Sequence, residues 1–134
     1  MKKINIGIYF LLIAGLISCY QSSKKKPLLT VQQDAYVLGK VEYDSSYLLQ
    51  YRILNRGEAD LLIDTVSASC DCTVPVVDKM AIRPGDSALL SVSYKPVDTG
   101  FFLKKVVIKS NADSVFTIVQ FSGQAVKGLY KFSS

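Results

Sequence analysis

Between Tyr47 and Asn55 every second side chain is apolar, with Tyr47, Leu49, Tyr51 and Ile53 on one side and Gln50 and Arg52 on the other. A period of two is what a pleated strand imposes, because successive side chains point to opposite faces. The period returns from Ser87 to Lys95, where Ala88, Leu90, Val92 and Tyr94 alternate with Ser91, Ser93 and Lys95. Past residue 27 no long stretch keeps apolar residues at i, i+3, i+4 and i+7, so helices are not expected there. Tyr36 to Val41, Leu61 to Ala68, Phe101 to Lys109 and Val115 to Gly123 are likewise short and rich in β-branched and aromatic residues.

Turn residues separate these blocks. Asn55-Arg56-Gly57-Glu58, Arg83-Pro84-Gly85-Asp86, Pro96 to Gly100 and Ser110-Asn111-Ala112-Asp113 all carry residues that favour reversal. A further break is expected around Cys70 to Pro75. Strands at about ten-residue intervals with one polar side predict an all-β fold, an immunoglobulin-like antiparallel β-sandwich of about seven strands. The expected division is residues 29–127 as the sandwich and 128–134 as a C-terminal tail.

The first 28 residues have a different character. Lys2 and Lys3 precede a run from Ile6 to Ile17 that ends at the small residue Ser18. A charged start, about a dozen apolar residues and a small residue make the layout of a secretory signal, here residues 1–18 as a signal helix. The run is too short for the ~20 residues of a membrane-spanning helix. Leu16-Ile17-Ser18-Cys19 resembles the bacterial lipobox, which implies cleavage before Cys19 and acylation of its sulfur, so the first partner expected is the lipid bilayer. Residues 19–28 are polar and read as a tether; eight extended residues reach at most ~25 to 30 Å. In gram-negative lipoproteins an Asp after the lipidated Cys resembles an inner-membrane retention signal. Tyr20 stands there instead, which points to the outer membrane, facing the periplasm.

Charge follows the same division. The chain holds 16 basic and 11 acidic residues, but Lys2, Lys3 and Lys24 to Lys26 account for the excess. From Pro27 onward the charges balance, so no nucleic-acid partner is expected, since that requires a basic face on the folded domain. Histidine is absent. The commonest general base and metal ligand are therefore missing, and no catalytic residue, metal or cofactor is expected.

In order along the chain stand Gly39-Lys40-Val41, Asn55-Arg56-Gly57, Leu61-Leu62-Ile63, Cys70-Asp71-Cys72-Thr73, Pro84-Gly85, Ser110-Asn111 and Gly123. This pattern resembles the bacterial envelope proteins of domain of unknown function 1573, over about residues 36–126. The Cys-x-Cys-Thr element is the most specific part. The resemblance implies a sandwich akin to major sperm protein and pilus chaperones, and it implies almost nothing about chemistry. Between its cysteines the family usually has Gly, where this chain has Asp71; if that Gly serves a left-handed backbone, Asp occupies it at a cost.

Cys70 and Cys72 are the one chemically suggestive pair. On a straight strand their Cα atoms would lie ~6.6 Å apart, at the upper limit for a disulfide, so a bridge requires a local bend. Three readings stand: structural thiols or a bridge shaping a loop, a redox-active or partner-linking pair, or two ligands for a soft metal such as Cu(I). Asp60, Asp64, Asp71 and Asp78 match no calcium-loop spacing. Tyr36, Tyr43, Tyr47 and Tyr51 suit half-buried strand positions, and Ser87, Ser91 and Ser93 lack a base partner. The expected function is an envelope-anchored, non-enzymatic binding or structural module contacting an unidentified envelope protein. The alternative is a periplasmic thiol-redox or copper-handling protein using Cys70 and Cys72.

Overall fold

The computed structural model describes residues 22–129, all strand and loop with no helix among them. The expected signal helix and Cys19 lie outside the described residues. Nine strands form: β1 (Leu29–Val31), β2 (Ala35–Glu42), β3 (Tyr47–Asn55), β4 (Leu61–Ala68), β5 (Thr73–Val77), β6 (Ala81–Ile82), β7 (Ser87–Tyr94), β8 (Gly100–Ser110) and β9 (Phe116–Val126). They make two sheets, in the orders β1-β3-β7-β5 and β2-β9-β8-β4-β6.

The alternation dictates how the sheets face. Leu49, Tyr51, Ile53, Ala88, Leu90, Val92 and Tyr94 turn inward from the four-stranded sheet, and Leu61, Ile63, Val106, Ile108, Val119 and Phe121 meet them from the other. Each fully buried side chain of this size contributes ~1.5 to 3 kcal/mol of transfer free energy. Tyr94, Phe102 and Phe121 pack as an aromatic group, with Tyr94 4.9 Å from Phe102 and 5.0 Å from Phe121 between ring centroids.

Tyrosines tie the layers together. Tyr51 donates its hydroxyl to the Gln120 carbonyl at 2.9 Å, Tyr36 to that of Gln50 at 3.0 Å, and the Glu42 N–H donates to Tyr47 Oη at 2.7 Å. Burial, with the neighbouring Tyr36, pushes the Tyr51 hydroxyl well above the ordinary tyrosine range. It therefore stays a neutral donor across the physiological range.

Four features depart from the expectation. The count is nine rather than about seven, because β1 and the two-residue β6 are too short to show a period. Strand β5 begins inside the expected break from Cys70 to Pro75 and runs on to Val77. The sandwich is not wholly antiparallel, since β2 pairs with β9 in parallel; the chain crosses from one sheet to the other between β1 and β2, so the two successive strands edge different sheets. The segment read as tether is partly fixed: Glu58 N–H donates to the Lys26 carbonyl at 2.9 Å, Arg56 N–H to that of Leu28 at 2.9 Å, and Lys26 Nζ lies 3.2 Å from Asp113.

These contacts orient the molecule. The N-terminal segment enters beside the 55–59 turn and the loop after β8. The turn at Asp44, the Lys95–Asp44 ion pair (3.0 Å) and the start of β8 lie at the opposite end, some 35 Å away at ~3.3 Å per strand residue.

Candidate functional site

Several residues of that pattern prove to be architectural. Asn55 is buried, and its amide nitrogen donates to the carbonyls of Ala59 (2.8 Å) and Ile82 (2.9 Å). Its side-chain oxygen accepts from the N–H groups of Gly57 (3.0 Å) and Leu28 (3.3 Å). One amide thus holds together the entering chain, the turn after β3 and strand β6. Gly57 lacks a side chain because Lys26, Pro27 and Leu28 pass over it; a Cβ there would overlap their backbone.

Gly39 and Gly123 form a second architectural pair. Gly39 has φ +69° and breaks the register of β2 between Val37 and Lys40. A Cβ on Gly123 would stand 2.7 Å from the Gly39 carbonyl and 2.8 Å from the Phe102 ring. Asn111 closes the start of β4, accepting from Leu62 N–H at 2.8 Å and donating to the Asp60 carbonyl at 3.1 Å.

At the corner where the chain leaves β4 for β5 and changes sheets, Cys70 and Cys72 are joined in a disulfide with Cα atoms 5.3 Å apart. The bend is made by a turn in which Thr73 N–H donates to the Cys70 carbonyl at 3.1 Å, while Lys95 N–H holds the Cys72 carbonyl at 3.0 Å. Thr73 is buried, its Oγ1 lying 3.5 Å from Cys70 Sγ and 3.7 Å from Cys72 Sγ. Asp71 is exposed at the tip. It does not occupy a left-handed conformation: Asp44 is the one non-glycine with positive φ among the described residues. Asp in place of the family's Gly therefore carries no backbone cost here. By the chain-entropy argument a bridge enclosing so short a loop adds only ~1.5 kcal/mol, about half the value for a 15-residue loop.

The other candidates disperse. Asp64 pairs with Lys109 at 3.1 Å and Asp78 accepts from Leu89 N–H at 2.8 Å. No three His, Cys, Asp or Glu side chains come together as a metal-binding group among the described residues. Tyr43 lies under Lys127, whose Nζ is 4.8 Å from the ring centroid. Ser91 and Ser93 stand on the outer face of β7.

Two surfaces then stand out. Strands β2 and β5 lie at sheet edges, but both are blunted. The bonds of Cys72 and Asp78 to the β7 side place the main-chain groups of Thr73, Pro75 and Val77 outward. Pro75 at the centre has no N–H to offer, a common means of keeping edge strands from pairing. On β2 the bulge at Gly39 interrupts the ladder, Tyr47 occupies the Glu42 N–H, and Gln33 donates to the Ala35 carbonyl at 3.2 Å.

The second surface is the outer face of the five-stranded sheet. Register places Val37, Ser122 and Leu103 in one row across three strands, and Lys40, Gln124 and Phe101 in the next. Val37 is 84%, Phe101 88% and Leu103 55% exposed. Val37 and Phe101 border a shallow depression of about 300 Å³ that Gly39 and Gly123 also line. The run Phe101-Phe102-Leu103, apolar on both faces of a strand, is the sequence signal that could have found this patch.

Comparison with known proteins agrees with this architecture. The family described as "Protein of unknown function (DUF1573)" matches residues 29–125. No curated protein matches the sequence. Among solved structures, a protein of unknown function from Porphyromonas gingivalis W83 superposes with a TM-score of 0.67 at 16% identity, covering 73% of this chain and 46% of that one. The ASH/PapD-like domain 7 of human CEP192 gives 0.61 at 9% identity, covering 76% and 87%. The secreted serine protease VesC of Vibrio cholerae gives 0.58 at 18% identity, covering 72% and 23%. The chain thus spans about half of the first structure and under a quarter of the last. At such identities the likeness is one of fold.

Proposed function

Because the chain belongs to the DUF1573 family, whose function is unassigned, we propose from its own geometry that it is a non-enzymatic protein-binding module, lipid-anchored through Cys19 in the gram-negative envelope. The observation that carries this reading is the exposed cluster of Val37, Phe101 and Leu103, in two adjacent rows on the outer face of the five-stranded sheet. Large apolar side chains left in water on a rigid surface, with Lys40 and Lys105 standing on the same face, suit a protein partner with an apolar patch edged by carboxylates. The face is built by three hydrogen-bonded strands, with one break at Gly39, so its shape is largely set before a partner arrives and little ordering entropy is lost on binding.

Anchoring gives the face a direction. The chain enters the domain at Lys26, which leaves Tyr20 to Lys25 as tether, at most ~20 Å long. Phe101 lies at the far end of β8 from that entry, so the patch sits on the flank of the domain toward the end remote from the bilayer. Confinement raises the effective concentration of other envelope components, and a weak contact becomes occupied.

Replacing Cys19 with Ala is expected to abolish fatty-acid labelling and to move the protein from the membrane to the soluble fraction. A variant that still pelleted after an alkaline wash would replace the lipid anchor by a helical one. In-cell crosslinking should capture a discrete envelope protein with the anchored form and lose it with the unanchored one; equal function and no adduct for both would count against a binding role.

A further inference from the structure

Beyond the sheet face, the disulfide corner has the makings of a reactive site. Its bridge closes a loop of only three residues; both cysteines are half-buried, and Cys72 packs against the rim of the core. The bridge borders a depression of about 370 Å³ whose lining includes Cys72, Asp71 and Lys95 together with the apolar Val74, Tyr94 and Val97. Cys72 lines this depression and Cys70 does not. A group seated in the depression therefore meets Cys72 rather than Cys70. Thr73 Oγ1, within 3.5 Å of Cys70 Sγ, is the nearest hydroxyl to the sulfur that would leave.

We propose that Cys70–Cys72 is a thiol–disulfide exchange site for a protein or peptide thiol flanked by apolar residues. The incoming thiolate attacks Cys72 Sγ; a new sulfur–sulfur bond forms there as the Cys70–Cys72 bond breaks. The electron pair departs on Cys70 Sγ, which receives a hydrogen bond from Thr73 and then a proton from solvent. A second thiolate on the same partner attacks the mixed disulfide at the partner's own sulfur and releases Cys72. The partner is then oxidised by two electrons to its disulfide, and the pair is reduced by two to thiols.

The surroundings set the rate in predictable directions. Asp71 places a negative charge beside the path of an anionic nucleophile, and the ammonium of Lys95 is engaged by Asp44 at 3.0 Å. Asp71→Asn should therefore speed exchange several-fold at low salt, with the gain shrinking as salt rises. Thr73→Val should slow it roughly tenfold, the size of one hydrogen bond to a charged atom, and Thr73→Ser should restore it.

The test uses the full chain in detergent, with reduced glutathione and a cysteine peptide with apolar flanks as probes. Products are trapped in acid and mapped by mass to the peptide containing Cys70 and Cys72, with near-ultraviolet circular dichroism confirming the folded state. The expected result is adduct on Cys72 of the folded protein, formed faster with the apolar peptide than with glutathione at equal thiolate concentration. The bridged protein should pass through this adduct and go on to the reduced pair. In the Cys70→Ser variant, oxidised glutathione should load Cys72 with an adduct that persists. A bridge that opens only when denaturant unfolds the domain, or that reacts without regard to Thr73 and Asp71, would overturn the proposal and leave the disulfide a staple.

Discussion

Asn55→Ala is expected to be the most damaging single substitution on the surface-facing turns, costing about 3 to 5 kcal/mol of unfolding free energy. Four main-chain groups lose their partner at once: the carbonyls of Ala59 and Ile82 and the N–H groups of Gly57 and Leu28. Each unsatisfied group away from water costs ~1 to 3 kcal/mol, reduced where the turn relaxes enough to admit solvent. For a domain of this size the loss corresponds to a fall in Tm of roughly 15 to 30 °C, readable by thermal melts. Asn55→Asp gives the sharper test. An ionised carboxylate would face two carbonyl oxygens, so the native state favours the protonated form, and the folded pKa of that Asp lies above its unfolded value. The native state then binds more protons, so stability falls as pH rises through the range between the two values. The variant should be less defective at pH 4 than at pH 7. Wild-type-like melts for both would show that the amide network is dispensable.

Gly57→Ala should act differently, by expelling a segment rather than melting the core. The added Cβ falls on the backbone of Lys26 to Leu28, and two of the bonds that hold this segment come from Arg56 and Glu58. The segment should lift away, taking with it the short pairing of β1 with β3 and the Lys26–Asp113 contact. Amide exchange across residues 26–31 is expected to rise by at least ~100-fold, equivalent to more than ~2.7 kcal/mol of local opening. The inner strands β3, β7, β8 and β9 should keep most of their protection. Uniform loss of protection over all strands would mean that the entering segment is part of one cooperative unit.

The contrast between these two positions shows what the sequence makes legible. Period-two alternation gave the inward faces of β3 and β7 residue by residue, because the signal lies within nine residues of chain. Asn55 and Gly57 read only as a turn. Their partners Leu28 and Ile82 each lie 27 residues from Asn55, and no local pattern reports a bond of that reach. Strand β5 was hidden by Pro75, which argues against a central strand and here sits on an edge. Lys26 looked like part of a solvated charge run, although its contact is with Asp113, 87 residues on. Of the candidate site, the cysteine pair and its need for a bend were visible from spacing alone. Of the apolar patch only the run Phe101-Phe102-Leu103 shows locally; Val37 joins it when β2, β9 and β8 are laid side by side.

The same comparison separates architecture from function. Asn55, Gly57, Gly123 and Asn111 each have a full structural account as residues that close the sandwich. What is left for function is the surface around Phe101 and the disulfide corner. The blunted edges narrow the choice further, because strand addition at β5 meets Pro75 where an N–H donor is needed.

The most direct measurement is site-specific photo-crosslinking in cells, with a photoreactive residue at Phe101 and, for comparison, at Leu48 on the outer face of the opposite sheet. The double substitution Val37→Ser, Phe101→Ser serves alongside it, expected to shift unfolding by no more than ~0.5 kcal/mol because both side chains lie in water. The account predicts a discrete envelope-protein adduct from position 101, absent from position 48, and competed by the wild-type chain but not by the double-serine variant. Adducts of equal yield from both positions, or none from position 101 in cells where the protein is active, would contradict it.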